Sequence, residues 1–123
     1  MTGETVLVVE DEGLIALHLT ETLEKAGYRI VGTAYSGEMV LTALEKSPIP
    51  DLILMDIGLA GSIDGLETAR RIRQHFDIPI LFLTAYSNIA KIEELKSIKF
   101  CGYLDKPYLE HDLLAAIKKC LNG

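Results

Sequence analysis

Leu52-Ile53-Leu54-Met55-Asp56 is the stretch that decides the fold. It is a short unbroken apolar run that ends on a carboxylate, without the polar alternation of a half-wetted strand. Such a run reads as a strand buried on both faces, as in a parallel sheet. Outward from it the same pattern recurs. Val6-Leu7-Val8-Val9 ends in Glu10-Asp11, Ile78-Pro79-Ile80-Leu81-Phe82-Leu83 ends in Thr84, and Gly102-Tyr103-Leu104-Asp105 runs into Lys106-Pro107. In an open parallel sheet, ligands and chemistry gather in the crevice beyond the carboxyl ends of the strands. One shared sheet therefore carries Glu10, Asp11, Asp56, Thr84 and Lys106 to one patch.

The segments between these runs have helical spacing. Ile15, Leu19 and Leu23 share one helix face, and the helix stops near Gly27. Arg29 to Ala34 reads as the second strand. Ser36 is placed to cap a helix through Val40, Leu41 and Leu44, which Pro48 and Pro50 end. Asp64-Gly65-Leu66-Glu67 has the spacing of a capping box and starts a helix to about His75. A fourth helix is predicted from about Asn88 to Ile98 and a last one from about Leu109 to Leu121, terminated by Asn122-Gly123. Strict alternation of strand and helix implies right-handed crossovers: a doubly wound, five-stranded parallel α/β sheet with helices on both faces. The whole of 1–123 reads as a single domain, structured from about 4 to 121.

Composition narrows the class. Of the 123 residues, 49% are hydrophobic and 24% charged, which is globular and not disordered. No stretch is apolar enough to span a membrane, and Met1-Thr2-Gly3-Glu4 lacks a secretory pattern, so a cytoplasmic location is expected. A net charge of −6 argues against direct nucleic-acid binding. Cys101 and Cys120 match no metal spacing and no disulfide framework, and are expected as ordinary thiols in a reducing cytoplasm. His18, His75 and His111 lie in helical stretches without ligand spacing and read as surface residues.

The acidic set carries the chemistry. Carboxylates about 5 Å apart repel by roughly 3 kcal/mol per pair at an effective dielectric of 20. Glu10, Asp11 and Asp56 therefore need raised pKa values, a cation, or both. Hard oxygen donors on short loops suit Mg²⁺, and no EF-hand loop is present for calcium. Lys106 is the adjacent positive charge. A carboxylate beside a divalent cation and an ammonium can act as a nucleophile toward a phosphoryl donor, and a hydroxyl at Thr84 can hydrogen-bond a phosphoryl oxygen. Each residue alone has a plainer reading. Strand-end acids are often solvated loop charges, Thr84 can bond backbone only, and Tyr103 can be a core aromatic. Lys91, Glu93, Glu94 and Lys96 read first as a wet helix face.

Val8-Val9-Glu10-Asp11-Glu12, Leu54-Met55-Asp56-Ile57, Asp64-Gly65, Leu83-Thr84-Ala85 and Gly102-Tyr103-Leu104-Asp105-Lys106-Pro107 together resemble, in order and spacing, the receiver domain of two-component response regulators. The resemblance covers essentially the whole chain and implies the flavodoxin-like strand order 2-1-3-4-5. It implies that Asp56 accepts a phosphoryl group from the phosphohistidine of a sensor histidine kinase or a phosphotransfer protein. Asp11 and Asp56 would hold Mg²⁺, Glu10 would act through water, and the Gly58 carbonyl would complete the protein ligands. Lys106 would pair with the acceptor and then with the phosphoryl group, and its bond to Pro107 would be cis. Thr84 and Tyr103 would move together as a switch. The face made by the helix at 88–98, the fifth strand and the last helix would then signal to a downstream protein or an attached output domain, or form a homodimer. On this reading the domain is not an enzyme; it catalyses only its own phosphotransfer and autodephosphorylation.

This chain has Glu10-Asp11 where many receivers have two aspartates, which bears on the metal's water network. Gly58 and Tyr86 each lie two residues past Asp56 and Thr84, where side chains control the approach of water. Rival readings fit less well. An aspartate-nucleophile phosphatase would need Asp-x-Asp after the first strand, and a nucleotide or flavin binder would need a phosphate loop there. A receiver-like interaction module that is never phosphorylated is the remaining alternative.

Overall fold

Register explains the sheet. In the computed structural model, which describes residues 3–46, 48–59, 61–85 and 100–122, the strands are β1 (Thr5–Val9), β2 (Arg29–Ala34), β3 (Leu52–Asp56), β4 (Ile80–Thr84) and β5 (Gly102–Asp105). All pair in parallel, in the order β2-β1-β3-β4-β5. Helices α1 (Gly13–Lys25), α2 (Gly37–Lys46), α3 (Gly65–Arg73) and α4 (Glu110–Asn122) complete the described elements. The helix expected at about 88–98, with Tyr86, Lys91, Glu93, Glu94 and Lys96, lies outside the described residues.

Alternate strand residues build two cores, one on each face of the sheet. Leu7, Val9, Ile53, Met55, Ile80 and Phe82 pack with Val40 and Leu44 of α2 and Leu66, Ala69 and Ile72 of α3. On the opposite face, Val6, Val8, Leu52, Leu54, Leu81 and Leu83 pack with Leu19 and Leu23 of α1 and with Leu113 and Ile117 of α4. Every residue of β3 and β4 is buried. The unbroken apolar runs are the sequence image of this two-sided burial.

Local chemistry sets the helix ends. Ser36 Oγ accepts from the Met39 amide at 3.2 Å, and Asp64 Oδ1 accepts from the Glu67 amide at 2.9 Å. The Glu67 carboxylate pairs with Arg70 and Arg71. Gly27, at φ +99°, closes α1: its amide bonds Glu24 and that of Tyr28 bonds Leu23. Two expectations shift. The inward stripe of α1 is Ala16, Leu19 and Leu23, and Ile15 is exposed. Helix α3 ends before His75, because the Gln74 and His75 amides tighten onto carbonyls three residues back and Arg73 donates to the Phe76 and Ile78 carbonyls.

The cysteines require a correction. Cys101 and Cys120 are not free thiols: they form a disulfide, with Cα atoms 5.4 Å apart, joining the chain just before β5 to the last turn of α4. The sequence leaves them 19 residues apart, with no spacing rule to pair them.

Candidate phosphoryl-acceptor and metal site

Three register pairs assemble the site. Val9 lies opposite Met55, Asp56 opposite Leu83, and Thr84 opposite Asp105. The residues at or just past those rungs are Glu10, Asp11, Asp56, Thr84 and Lys106, so the parallel register alone brings them to one edge. Glu10, Asp11 and Asp56 each place a carboxylate oxygen within 4.8 Å of the other two. The Glu10 side chain is only 1% exposed and that of Asp56 9%. Lys106 Nζ sits 3.3 Å from Asp56 Oδ2 and 3.6 Å from Glu10 Oε1, bridging the two buried acids.

Backbone holds the carboxylates in place. The Gly58 amide donates to Asp56 Oδ1 at 3.0 Å, and the Glu12 amide donates to Glu10 Oε2 at 3.1 Å. Behind Asp56, the α3 start sits directly on the β3 end. A Cβ added to Gly65 would lie 2.4 Å from the Asp56 carbonyl oxygen and 2.8 Å from the Ile57 Cα. Only glycine permits that approach, which explains the Asp64-Gly65 dipeptide.

Electrostatics follow from burial. The Glu10 carboxyl is pushed up to about 7, chiefly because burial disfavours its charged form, with the Asp56 charge adding to the rise. The Glu12 amide and Lys106 act in the other direction. Glu10 Oε1 is buried without a hydrogen bond. A cluster of hard oxygen donors with a buried oxygen unsatisfied fits a small divalent cation.

The other predicted residues take separate positions. Thr84 is fully buried, and its hydroxyl donates to the Ala85 carbonyl at 3.0 Å. Tyr103 is 45% exposed on β5. The Lys106–Pro107 peptide bond is cis, and the Lys106 amide donates to the Thr84 carbonyl at 2.8 Å. His18, His75 and His111 are exposed. Sequence reasoning missed Tyr108, whose hydroxyl pKa is raised by burial and then by the Glu10 and Asp56 charges. The signal was its place just after Lys106-Pro107, but a loop aromatic does not announce itself as a strand-end polar group does.

Comparison with known proteins agrees with this geometry. Residues 6–118 match the family described as the response regulator receiver domain. The transcriptional regulatory protein PdtaR of Mycobacterium tuberculosis is 37% identical over 113 residues, covering 92% of this chain and 54% of that protein. The chain thus spans about half the length of the curated relatives it matches. The N-terminal domain of a response regulator/sensory box/GGDEF three-domain protein from Carboxydothermus hydrogenoformans superposes with a TM-score of 0.89 at 34% identity, covering 97% of this chain and 94% of that one. The PhyR response regulator receiver domain of Erythrobacter litoralis gives 0.84 at 30% identity, covering 99% and 92%. With a matching sequence over both cores and every strand-end residue of the site, the chain belongs to the response regulator receiver domain family.

Proposed function

We propose that Asp56 is the phosphoryl acceptor of a cytoplasmic two-component pathway. The observation that carries this reading is Lys106 held between two buried carboxylates, beside a third, at the carboxyl edge of the sheet. One Asp56 oxygen attacks the phosphorus of a phosphohistidine on a sensor kinase or phosphotransfer protein. The P–N bond breaks, the imidazole nitrogen leaves with the bonding electrons and takes up a proton, and Asp56 becomes an acyl phosphate. Lys106, released from Asp56, follows the charge onto a phosphoryl oxygen. Glu10, Asp11, Asp56 and the Gly58 carbonyl would hold Mg²⁺, which when bound neutralises the carboxylates and the phosphoryl oxygens. The protein turns over no separate substrate; it catalyses only its own phosphorylation and hydrolysis.

The output rests on Thr84 and Tyr103. In this structure the Thr84 hydroxyl is spent on the Ala85 carbonyl and Tyr103 faces outward. A phosphoryl group offers Thr84 a stronger, charged acceptor, and its shift opens space for the ring. The surface around β5 and α4 then signals to an output domain or a separate protein. Borohydride trapping tests the acceptor: acyl phosphate at Asp56 is reduced to homoserine, found by peptide mapping at position 56. Label at any other residue would overturn the assignment.

A further inference from the structure

The Cys101–Cys120 bridge lies away from the phosphoryl site, at the start of β5 and not at its carboxyl end. We infer that this pair is a redox modification site, a disulfide opened and closed by exchange with small thiols such as glutathione that enter through the adjoining cleft. The cleft is about 430 Å³ and is lined by both cysteines, Arg73, Asp77, Phe100 and Lys119.

Three observations carry the inference. Access comes first: Cys101 is half-buried and faces a cleft large enough for a thiol reagent, whereas Cys120 is buried. The incoming sulfur therefore meets Cys101. Charge is the second. Lys119 lines the same cleft and favours an attacking thiolate and a departing one, the setting in which exchangeable cysteines are found. Arg73, which donates to the Phe76 and Ile78 carbonyls, and Asp77, whose charge acts on it, largely offset one another on the rim, which leaves Lys119 as the acting charge. Redundancy is the third. Strand β5 is already paired along β4, and α4 is anchored by the fully buried Leu113 and Ile117, so the bridge adds a tether to elements held without it. The Ile80 carbonyl oxygen also lies 3.2 Å from Cys101 Sγ, ready to accept from a thiol once the bridge opens. Both redox states thus satisfy the same fold.

The exchange balances. A thiolate attacks Cys101 Sγ, the S–S bond breaks, and Cys120 leaves as a thiolate that takes up a proton. A second thiol attacks the mixed disulfide, freeing Cys101, so two thiols become one disulfide and the protein gains two electrons and two protons. An oxidised glutathione-type disulfide runs the sequence backward.

The test uses the folded chain prepared in air. Reduced glutathione is added without denaturant, aliquots are alkylated with iodoacetamide, and intact mass counts the labels, with circular dichroism as the check on folding. Before reduction no cysteine is labelled; afterwards both are, with the native spectrum kept. Cys120→Ser, treated with oxidised glutathione, gains a single glutathione adduct on Cys101 and releases one reduced glutathione, because no second cysteine is left to displace the adduct. Lys119→Glu slows native reduction by roughly threefold or more, because it removes charge that favours thiolate exchange. A bridge that opens only in denaturant, a reduced chain that unfolds, labelling of both cysteines after treatment with oxidised glutathione, or a Lys119→Glu rate equal to that of the wild type would each overturn the inference.

Discussion

Glu10 and Asp56 share one problem: two carboxylates are taken out of water with Lys106 bridging between them. A partly protonated Glu10 is the response of the metal-free protein. Its pKa near 7 exceeds the ordinary value of 4.5, so between these values the folded state holds more proton than the unfolded one. Stability from this group is complete below about pH 4.5 and fades as pH rises through about 7. In EDTA, unfolding free energy should fall by up to ~3 kcal/mol over that window, and Glu10→Gln should flatten the fall. Denaturant melts at pH 5 and pH 8 check this, and a rise in the wild type across the window would contradict it. Removing the Asp56 charge relieves the same repulsion. Asp56→Asn is therefore expected to raise the metal-free melting temperature at pH 8 by a few degrees, corresponding to about 1 kcal/mol. A clear drop would show that Lys106 already outweighs the repulsion.

At the scale of elements, the site depends on two close approaches: parallel register across the sheet and the seating of α3 on the end of β3. Gly65 controls the second. In Gly65→Ala the new methyl meets backbone, not a flexible side-chain tip, so strand or helix must move. We expect a loss of about 1–3 kcal/mol in chemical denaturation, together with slower phosphorylation, because the moved atoms belong to Asp56 and Ile57. Wild-type stability and rate would refute the packing argument. Strands β1, β3 and β4 were legible because two-sided burial leaves unbroken apolar runs, and the polar residues that end them mark the site. The ends of helices were less so. Ile15 fits the helical stripe on spacing alone, yet only packing selects Ala16 in its place. Likewise the stop at Arg73 depends on where its guanidinium finds carbonyls, a tertiary fact.

For the whole molecule, two apolar cores on opposite sides of one sheet leave its carboxyl edge free for chemistry. That division was readable from the alternation of strand and helix, and the convergence of Glu10, Asp11, Asp56, Thr84 and Lys106 followed from it. What stayed hidden joins residues by tertiary proximity alone. The Cys101–Cys120 bridge carries no spacing signal, and Tyr108 carries only its place just after Lys106-Pro107. This edge is expected to take up one phosphoryl group on Asp56. Intact mass after incubation with acetyl phosphate, in Mg²⁺ or in EDTA, measures it most directly in the wild type and in Asp56→Asn. A gain of one phosphoryl group that needs Mg²⁺ and disappears in the variant is the expected result. A gain that persists in Asp56→Asn, or a wild type that takes up neither phosphoryl nor the phosphoryl mimic beryllofluoride, would contradict it and leave a receiver fold that works by contact alone.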